Sequence, residues 1–276
     1  MSLANQFSLF ASKRRWLNRI VRNYLPAVAE VKITDSFKLF TDPTDLYGPS
    51  FYVNYGGPAA FYHYEEDLKA EIMQHLTPDG VFFDIGANIG LISLFVHKFY
   101  PEVSIHCFEP ADSTHTCLSH SLEANKITNI KLHKKGVGDR NGIAKFFIDP
   151  KSNGGSSLVV EHAGEPVEIE LVTLDSYIES TNQIPTLIKV DVEGAEEFVI
   201  KGGTLSIKKF RPIMIIESDN QKILSQVELW QKIFVGYKFR PIGTTQFYEL
   251  AELKDIAQSL VNKRKMTIDY LFVPKN

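Results

Sequence analysis

A glycine-rich segment, Asp84-Ile-Gly-Ala-Asn-Ile-Gly90, has residue types and a spacing that could do chemistry. Glycine allows the backbone to turn tightly and to approach a ligand that a Cβ atom would exclude. The segment lies between an apolar run and a helical pattern, so the helix would offer free N–H groups to a ligand. Glu109 follows Gly86 by 23 residues, and a carboxylate after the next predicted strand can bind both hydroxyls of a ribose. These residues indicate a site for a nucleoside-bearing cofactor.

The segment departs from two other nucleotide-binding patterns. The dinucleotide fingerprint G-x-G-x-x-G requires glycine at two positions where this chain has Asn88 and Leu91. The acid before the turn would repel a pyrophosphate, and the Gly-Lys-Ser/Thr of a Walker A loop is missing. A nicotinamide-dependent oxidoreductase stays open as an alternative, and it predicts binding of NAD. A purely structural turn, with Asp84 capping a helix and Glu109 on a solvated edge, is the other alternative.

A second polar cluster, Lys189-Val-Asp-Val-Glu-Gly-Ala-Glu196, follows a later apolar run. Asp191 and Glu193 are two residues apart, so on an extended segment both carboxylates point to one side. An ion pair between Lys189 and Asp191 is the simplest structural interpretation. Because the cluster ends a predicted strand at the same sheet edge as the glycine-rich turn, we interpret it as a candidate active site.

Strands and helices alternate along most of the chain, which predicts βαβ units and a mostly parallel sheet. Strands are predicted over residues 81–84, 103–108, 130–137, 143–148, 167–172, 186–190, 213–216, 237–239, 247–250 and 268–273. Helices are predicted over residues 65–76, 89–100, 112–124, 195–201 and 222–234. The late strands without intervening helices predict an antiparallel strand near the C-terminus. We therefore expect an α/β, Rossmann-like fold with helices on both faces of the sheet.

The order of these motifs resembles a known family. D-x-G-x-x-x-G with an acid after the second strand resembles motif I of class I S-adenosylmethionine-dependent methyltransferases. Over roughly residues 65–220 the chain further resembles the FkbM family of methyltransferases, and the matching segments are Phe83–Gly90, Phe108–Pro110, Asn153–Ser157, Thr173–Asp175, Ile188–Glu196 and Pro212–Glu217. The resemblance implies a class I fold, S-adenosyl-L-methionine as cofactor, and O-methylation of a small-molecule, sugar or polyketide-like acceptor. A nitrogen or carboxyl acceptor stays open as an alternative.

The resemblance also implies which residues bind the cofactor. They are Asp84, Gly86, Asn88, Gly90, Glu109 and Asp139. Asp84 and the glycine-rich turn would face the methionine portion, and Glu109 would bind the ribose diol. Asp139, just past the third predicted strand, would meet the amino group of the adenine.

Catalysis of methyl transfer requires an aligned acceptor, and an alcohol also requires help in losing its proton. We predict that Asp191 is the general base or orients the acceptor, with Glu193 and Glu217 as supporting carboxylates. Lys189 would position Asp191 or stabilise the developing alkoxide. Three carboxylates also suit Mg²⁺, but no specificity for an aromatic diol is visible, so we predict that no metal takes part.

Two further segments are candidates for the acceptor pocket. The loop Asn153–Ser157 contains glycines that permit movement and the hydroxyls of Ser156 and Ser157, so it could close over an acceptor. An ordinary hairpin turn explains the same composition. The segment His63-Tyr64-Glu65 precedes the cofactor turn, and we predict that it contributes to the pocket, mainly through His63 and Tyr64.

The composition limits the classes of protein. The chain has 276 residues, of which 44% are hydrophobic and 23% charged, values that disfavour disorder and disulfide scaffolds. Its net charge of −3 offers no electrostatic basis for binding nucleic acid. Two cysteines favour a reducing compartment, and no apolar run is long enough to span a membrane. We predict a cytoplasmic enzyme without a nucleic-acid partner, and nothing in the sequence indicates its oligomeric state.

The chain is predicted to have two parts. Residues 1–60 form a helical or irregular extension that caps the core, and residues 61–276 form the catalytic domain. Within the extension, the pattern of residues 3–25 predicts one or two helical turns followed by a basic amphipathic helix. Such a helix either lies over the catalytic domain as a solvated element or docks on an acidic partner or membrane surface.

Overall fold

The fold is known here from a computed structural model, which describes residues 25–149, 151–159 and 166–275. Apart from residue 25, the basic helix predicted over residues 3–25 lies outside the described residues. The strands are β1 Ala29–Thr34, β2 Phe37–Thr41, β3 Val81–Ile85, β4 Ser104–Phe108, β5 Ile130–His133, β6 Gly136–Gly138, β7 Gly142–Phe146, β8 Val167–Thr173, β9 Leu187–Val190, β10 Ile213–Asp219, β11 Tyr237–Pro241, β12 Tyr248–Glu249 and β13 Thr267–Pro274. The helices are α1 Pro49–His63, α2 Glu66–His75, α3 Leu91–Phe99, α4 Asp112–Ala124, α5 Leu174–Thr181, α6 Glu196–Gly202, α7 Thr204–Phe210, α8 Asn220–Ile233 and α9 Leu253–Asn262, with short 3₁₀ turns at Asn153–Gly155 and Leu250–Glu252.

The main sheet has eight strands in the order β12-β11-β13-β10-β9-β3-β4-β5. Strands β10, β9, β3, β4 and β5 are parallel to one another, whereas β13 is antiparallel to both β10 and β11. The chain order reverses at β3, because β4 lies on one side of it and β9 on the other. Ligands of open α/β sheets bind at such a switch point, beyond the carboxyl ends of the strands. The predicted Rossmann-like fold with a late antiparallel strand is confirmed.

Both faces of the sheet are covered, which explains why its strands are continuous apolar runs. Phe82 of β3 belongs to one core cluster, together with apolar residues of α1 to α4. Phe83 and Ile85 of the same strand belong to a second cluster, with residues of α5 to α9. Successive side chains of a strand point to opposite faces, so one short run contributes to both halves of the core.

The described part of the N-terminal extension packs on the first core cluster. Strands β1 and β2 form an antiparallel hairpin, and Leu39, Val53 and Phe61 are fully buried in the cluster. Helix α1 was not predicted within this extension, because the turn residues around Gly57 concealed it. Gly57 has φ of 56° and produces a kink inside that helix. The predicted boundary at residue 60 falls within α1, and the division into two parts stays a prediction.

The third strand of the sequence analysis, residues 130–137, is divided in the structure. β5 ends at His133, and Gly136–Gly138 instead pairs with β8 in a separate three-stranded sheet of order β6-β8-β7. A Cβ atom on Gly136 would lie 2.7 Å from Cδ2 of Leu171. The absent side chain therefore allows β6 to pack closely on β8, a long-range contact that the local pattern could not show.

Besides α1, three helices were missed by the sequence analysis, α5, α7 and α9. Helix α9 lies between the last two strands, so these strands are separated by a helix, contrary to expectation. Its residues Leu253 and Ala257 are buried in the second core cluster. Among the residues that the structure describes, no helix is long and apolar enough to cross a membrane.

A buried histidine links β4 to α5 and β5. Nδ1 of His106 lies 2.6 Å from the hydroxyl of Tyr177, which lies 2.8 Å from Nε2 of His133. His106 is fully buried. Burial lowers its pKa to about 4, and the neighbouring His133 and Lys131 act in the same direction.

This histidine should make the protein less stable in mild acid. Between pH 6.5 and about 4 the unfolded chain binds a proton at His106 that the folded chain does not, so the free energy of unfolding falls as the pH falls. The expected loss is roughly 3 kcal/mol, and it should be absent from His106→Gln. Chemical denaturation at several pH values measures this slope. His63→Gln, at a side chain that is 69% exposed, should keep the wild-type slope; equal slopes for the two variants would contradict the prediction.

Candidate active site

A cavity of about 400 Å³ lies beyond the carboxyl ends of the central strands. The glycine-rich turn after β3, the loop after β4 and the segment after β9 form its floor. The predicted site residues among those that line it are Tyr64, Gly86, Asn88, Glu109, Ser156, Lys189, Asp191, Glu193 and Glu217. The two motifs that are about 100 residues apart in the sequence therefore meet in one cavity, as the parallel strands require.

The glycine-rich turn packs directly on the segment after β9. Gly86 and Gly90 have φ of 80° and 81°, and Asn88 lies in the same left-handed region at 53°. A Cβ atom on Gly86 would lie 1.7 Å from the carbonyl oxygen of Asp191. This approach explains why the turn requires a glycine at that position, and it places Asp191 beside the cofactor turn.

Glu109 joins the glycine-rich turn to the loop after β4. Its two carboxylate oxygens accept hydrogen bonds from the backbone N–H groups of Asn88, at 2.8 Å, and Ala111, at 2.9 Å. Burial raises the pKa of Glu109, and the hydrogen bonds from Ala111, Thr114 and Asn88 oppose that increase. A carboxylate offers about four lone-pair sites, so the fixed group can still accept a hydrogen bond from the cavity.

Lys189 lies almost fully buried under the cavity, among carboxylates. Its Nζ lies 3.0 Å from Oδ2 of Asp191 and 3.6 Å from Oδ1 of Asp84, and it donates to the carbonyl of Gly86 at 3.4 Å. Burial alone lowers the pKa of Lys189, but Asp191, Asp84 and Glu65 raise it well above its ordinary value. The lysine is therefore a permanent cation that holds the turn and Asp191 together.

Asp84 lies beneath the turn and does not line the cavity. It is fully buried, and its Oδ2 accepts a hydrogen bond of 2.6 Å from Ser93. Its other oxygen has only the ion pair with Lys189. The structure thus places Asp84 next to the cation that supports the turn, rather than at the cavity surface.

Asp191 and Glu217 form a hydrogen-bonded carboxyl pair at the adjacent ends of β9 and β10. Burial raises the pKa of Asp191, but Lys189 and the hydrogen bond from Glu217 lower it more, so Asp191 is ionised. The charge of Asp191, together with burial, raises the pKa of Glu217 to about 11. The pair therefore has one proton at neutral pH, on Glu217, which donates to Asp191.

Glu193 adds a third carboxyl group beside this pair. Burial and the nearby charge of Asp191 raise the pKa of Glu193 to about 8. One oxygen each of Asp191, Glu193 and Glu217 lie within 4.8 Å of one another. This spacing is compatible with a metal ion as well as with shared protons, so the absence of a metal stays a prediction.

Tyr64 and Glu65 form the wall opposite the carboxyl pair, in the turn between α1 and α2. Tyr64 and Glu65 share a side-chain hydrogen bond, and the charges of Asp191 and Glu217 also act on Tyr64. Glu65 has φ of 51°. Lys69 donates from Nζ to the carbonyl oxygens of Phe61, at 2.8 Å, and of Tyr64, which fixes the turn. Tyr64 and Glu65 both line the cavity, and both belong to the segment that the sequence analysis considers for the acceptor pocket.

The loop predicted to close over the acceptor lies at the cavity mouth. Ser156 lines the cavity, whereas Ser157 is buried and donates to the carbonyl of Glu193 at 2.7 Å. Lys151 accepts a hydrogen bond from the backbone N–H of Leu46, so the loop contacts the N-terminal segment there. Whether the loop moves is a prediction.

Two predicted residues lie away from the cavity. His63 is exposed and pairs with Glu66 at 3.1 Å. Asp139 pairs with Arg140 at 3.4 Å and is not among the lining residues. Asp139 is displaced because Gly136–Gly138 pairs with the small sheet instead of extending β5. Their proposed contacts to substrate and cofactor have no support from this placement.

The strand order and the glycine-rich turn beside an acid after the next strand define a methyltransferase with a class I, Rossmann-like fold. The sequence profile of the Methyltransferase FkbM domain matches residues 84–272, and the chain belongs to that family. The family predicted from the motifs is thereby confirmed.

Three comparisons show how distant the relatives are. The 31-O-demethyl-FK506 methyltransferase FkbM of Streptomyces tacrolimicus is 26% identical over 180 residues, covering 53% of this chain and 69% of the relative. The hexuronic acid methyltransferase AglP of Haloferax volcanii is 27% identical over 177 residues, covering 61% of this chain and 71% of the relative. A crystal structure of methyltransferase FkbM from Methylobacillus flagellatus KT is 17% identical with a TM-score of 0.49, covering 71% of this chain and 44% of that one.

Proposed function

We propose that this methyltransferase transfers a methyl group from S-adenosyl-L-methionine to a hydroxyl group of a small-molecule or sugar acceptor. The single observation that supports this best is the placement of ionised Asp191 beside the glycine-rich turn, in the cavity that also contains Glu109. Two relatives support the acceptor class, since one is named for the 31-O position of FK506 and the other for a hexuronic acid.

The residues of the cavity fit this cofactor. The carboxylate of Glu109 is already oriented by two backbone N–H groups, and it would accept both hydroxyls of the ribose. The turn from Gly86 to Gly90 would lie along the methionine portion. Asp191, Glu193 and Glu217 would surround the positive charge of the sulfur. When bound, the cofactor supplies an electrophilic methyl group on a sulfonium.

Asp191 would receive the proton of the acceptor hydroxyl. Its low pKa makes it a weak base for a free alcohol, but the hydroxyl becomes strongly acidic as its oxygen bonds to carbon. A weak base that is already in place is then sufficient, and it also orients the oxygen for in-line attack. Lys189 and Glu217 hold the Asp191 carboxylate in position, so Lys189 would act on Asp191 rather than directly on the acceptor.

A calorimetric titration with S-adenosylhomocysteine and, separately, with NAD tests the cofactor. We expect dissociation constants in the micromolar range for S-adenosylhomocysteine and no binding of NAD. Failure of well-folded protein to bind S-adenosylhomocysteine, with or without candidate acceptors, would contradict the methyltransferase proposal. Binding of NAD instead would favour the oxidoreductase.

Transfer of labelled methyl groups to matched acceptors then tests the acceptor atom. The panel contains sugars, uronic acids and macrolides with free hydroxyls, together with their amino and O-methylated analogues and total RNA. We expect label in the hydroxylated compounds and none where the hydroxyl is already methylated. Label in amines or carboxylates would contradict a hydroxyl as the acceptor group, and label in RNA would contradict a small-molecule or sugar acceptor. Each of these results would leave the cofactor proposal intact.

A further inference from the structure

A second cavity, of about 430 Å³, adjoins the active site between the start of α2 and strand β13. Glu65 lines this cavity and also the main one, so the two cavities meet at its side chain. The second cavity combines carboxyl groups with apolar side chains, and its lining includes Glu66, Asp67, Leu68, Ile268 and Asp269.

Strands β10 and β13 place the second cavity next to the carboxyl pair of Asp191 and Glu217. Glu217 and Asp269 lie directly opposite each other in the antiparallel pairing, so their side chains share one face of the sheet. Asp191, burial and Asp269 all raise the pKa of Glu217, so Asp269 is close enough to act on the pair. On the β9 side of the pair, a loop is attached by the hydrogen bond from Ser157 to the carbonyl of Glu193. The space for a ligand continues on the β13 side.

We propose that the second cavity binds the part of the acceptor that is not methylated, and that this part carries hydroxyl groups and no negative charge. The inference rests on the proposed function, because it places the reacting hydroxyl at Asp191. The main cavity has to hold the cofactor and this hydroxyl together, so the rest of a sugar-like acceptor would extend past Glu65. Carboxylates accept hydrogen bonds from hydroxyl groups, and apolar side chains pack against the C–H groups of a sugar ring.

The charges of the second cavity disfavour an anionic acceptor. Burial and the charges of Asp191 and Glu65 raise the pKa of Asp269 to about 7, and Lys189 opposes this increase only in part. Negative charge is therefore dense enough that one carboxyl group is partly protonated at neutral pH. Within the described part of the chain, no lysine, arginine or histidine lines this cavity. A carboxylate or phosphate on the acceptor would meet like charges, which suppress the binding of wrong partners.

Reversal of one charge in the second cavity tests the proposal. Asp67 lines the second cavity but not the main one, and it is exposed, so Asp67→Lys should fold. The substrates are the panel compound that takes most label and a counterpart with one carboxylate remote from the methylated hydroxyl, as a uronic acid differs from its hexose. The wild type should have the higher kcat/KM for the uncharged compound. Asp67→Lys should reduce this preference about three- to tenfold, mainly through KM, because an exposed charge acts through solvent.

Glu102→Lys is the matched control, because it makes the same change of charge at an exposed residue that lines neither cavity. Its preference should stay within about twofold of the wild type. Both variants should bind S-adenosylhomocysteine as the wild type does, and thermal unfolding without ligand shows whether each is folded. If Asp67→Lys is not, Asp67→Asn replaces it, with about half the effect on a logarithmic scale, since it removes the charge without reversing it.

Two kinds of failure are distinguishable. An unchanged preference in the folded Asp67 variant, or a wild type that prefers the carboxylated compound, would overturn the second cavity as the acceptor subsite and leave the proposed function standing. Absence of label from every hydroxylated compound with the wild type would overturn the proposed acceptor and this inference together.

Discussion

Glu109→Ala is expected to weaken binding of S-adenosylhomocysteine by about 100-fold or more. The substitution removes the carboxylate that would accept the ribose hydroxyls. It also leaves the backbone N–H groups of Asn88 and Ala111 without the acceptor they have in the wild type. Hydrogen bonds to a charged group contribute about 1.5–3 kcal/mol each, and 100-fold corresponds to about 2.7 kcal/mol. Calorimetric titration measures the change.

Two further variants separate this effect from general damage. Glu109→Gln should also bind S-adenosylhomocysteine weakly. The two carboxylate oxygens accept from the N–H groups of Asn88 and Ala111, and the NH2 group of glutamine would have to face one of these donors. Glu102→Ala, an exposed glutamate just before β4, should bind as the wild type does. Thermal unfolding of each variant without ligand checks the fold. Wild-type affinity in folded Glu109→Ala would mean that the ribose lies elsewhere.

Asp191→Asn is expected to lower kcat by about 10²- to 10⁴-fold, the usual contribution of a positioned general base. The uncharged amide cannot receive the acceptor proton. Binding of S-adenosylhomocysteine should change little, because its sulfur is neutral and Asp191 does not hold the ribose. Rates with the acceptor identified in the methylation panel give kcat, and calorimetry gives the affinity for S-adenosylhomocysteine, so the two effects are measured separately.

Glutamine variants of the neighbouring carboxyl groups provide the comparison. Glu217 is protonated at neutral pH, and the pKa of Glu193 is raised to about 8, so glutamine resembles the form already present at both positions. We expect kcat to fall by less than about tenfold in Glu193→Gln and Glu217→Gln at pH 7.

The lowered pKa of Asp191 also predicts that protonation of this residue does not reduce kcat between pH 8 and 5. Near-wild-type kcat for Asp191→Asn would exclude it as the base.

The central strands and the cofactor turn were predictable because their signals are local. Residues 81–84 and 186–190 belong to short, mainly apolar strands that are covered on both faces of the sheet. An acid and a glycine stand at the end of each, Asp84 with Gly86 and Asp191 with Gly194. That Asp84–Gly90 and Lys189–Glu196 would meet followed from the rule that parallel strands end at one sheet edge. The family could be named from these motifs for the same reason.

Other elements were missed because their signals are not local. Helix α1 contains Gly57 and Pro58, which in isolation predict a turn, and packing on the core overrides that preference. Residues 130–137 were predicted as one strand, but Gly136 pairs with a strand that lies about 30 residues further along. Short helices such as α7 give weak periodicity.

By itself, the sequence determined the α/β class, the family, the glycine-rich turn with Glu109 after the next strand, and the cluster from Lys189 to Glu193. These depend on residue type and short spacing, which the chain encodes within single strands and turns. Tertiary structure alone decided that Asp139 lies outside the cavity, that Phe146 lines it, and that Glu217 rather than Asp191 has the shared proton. Each of these outcomes depends on which distant segments are packed together, since burial and neighbouring charges set both the shape of the cavity and the pKa values of its carboxyl groups.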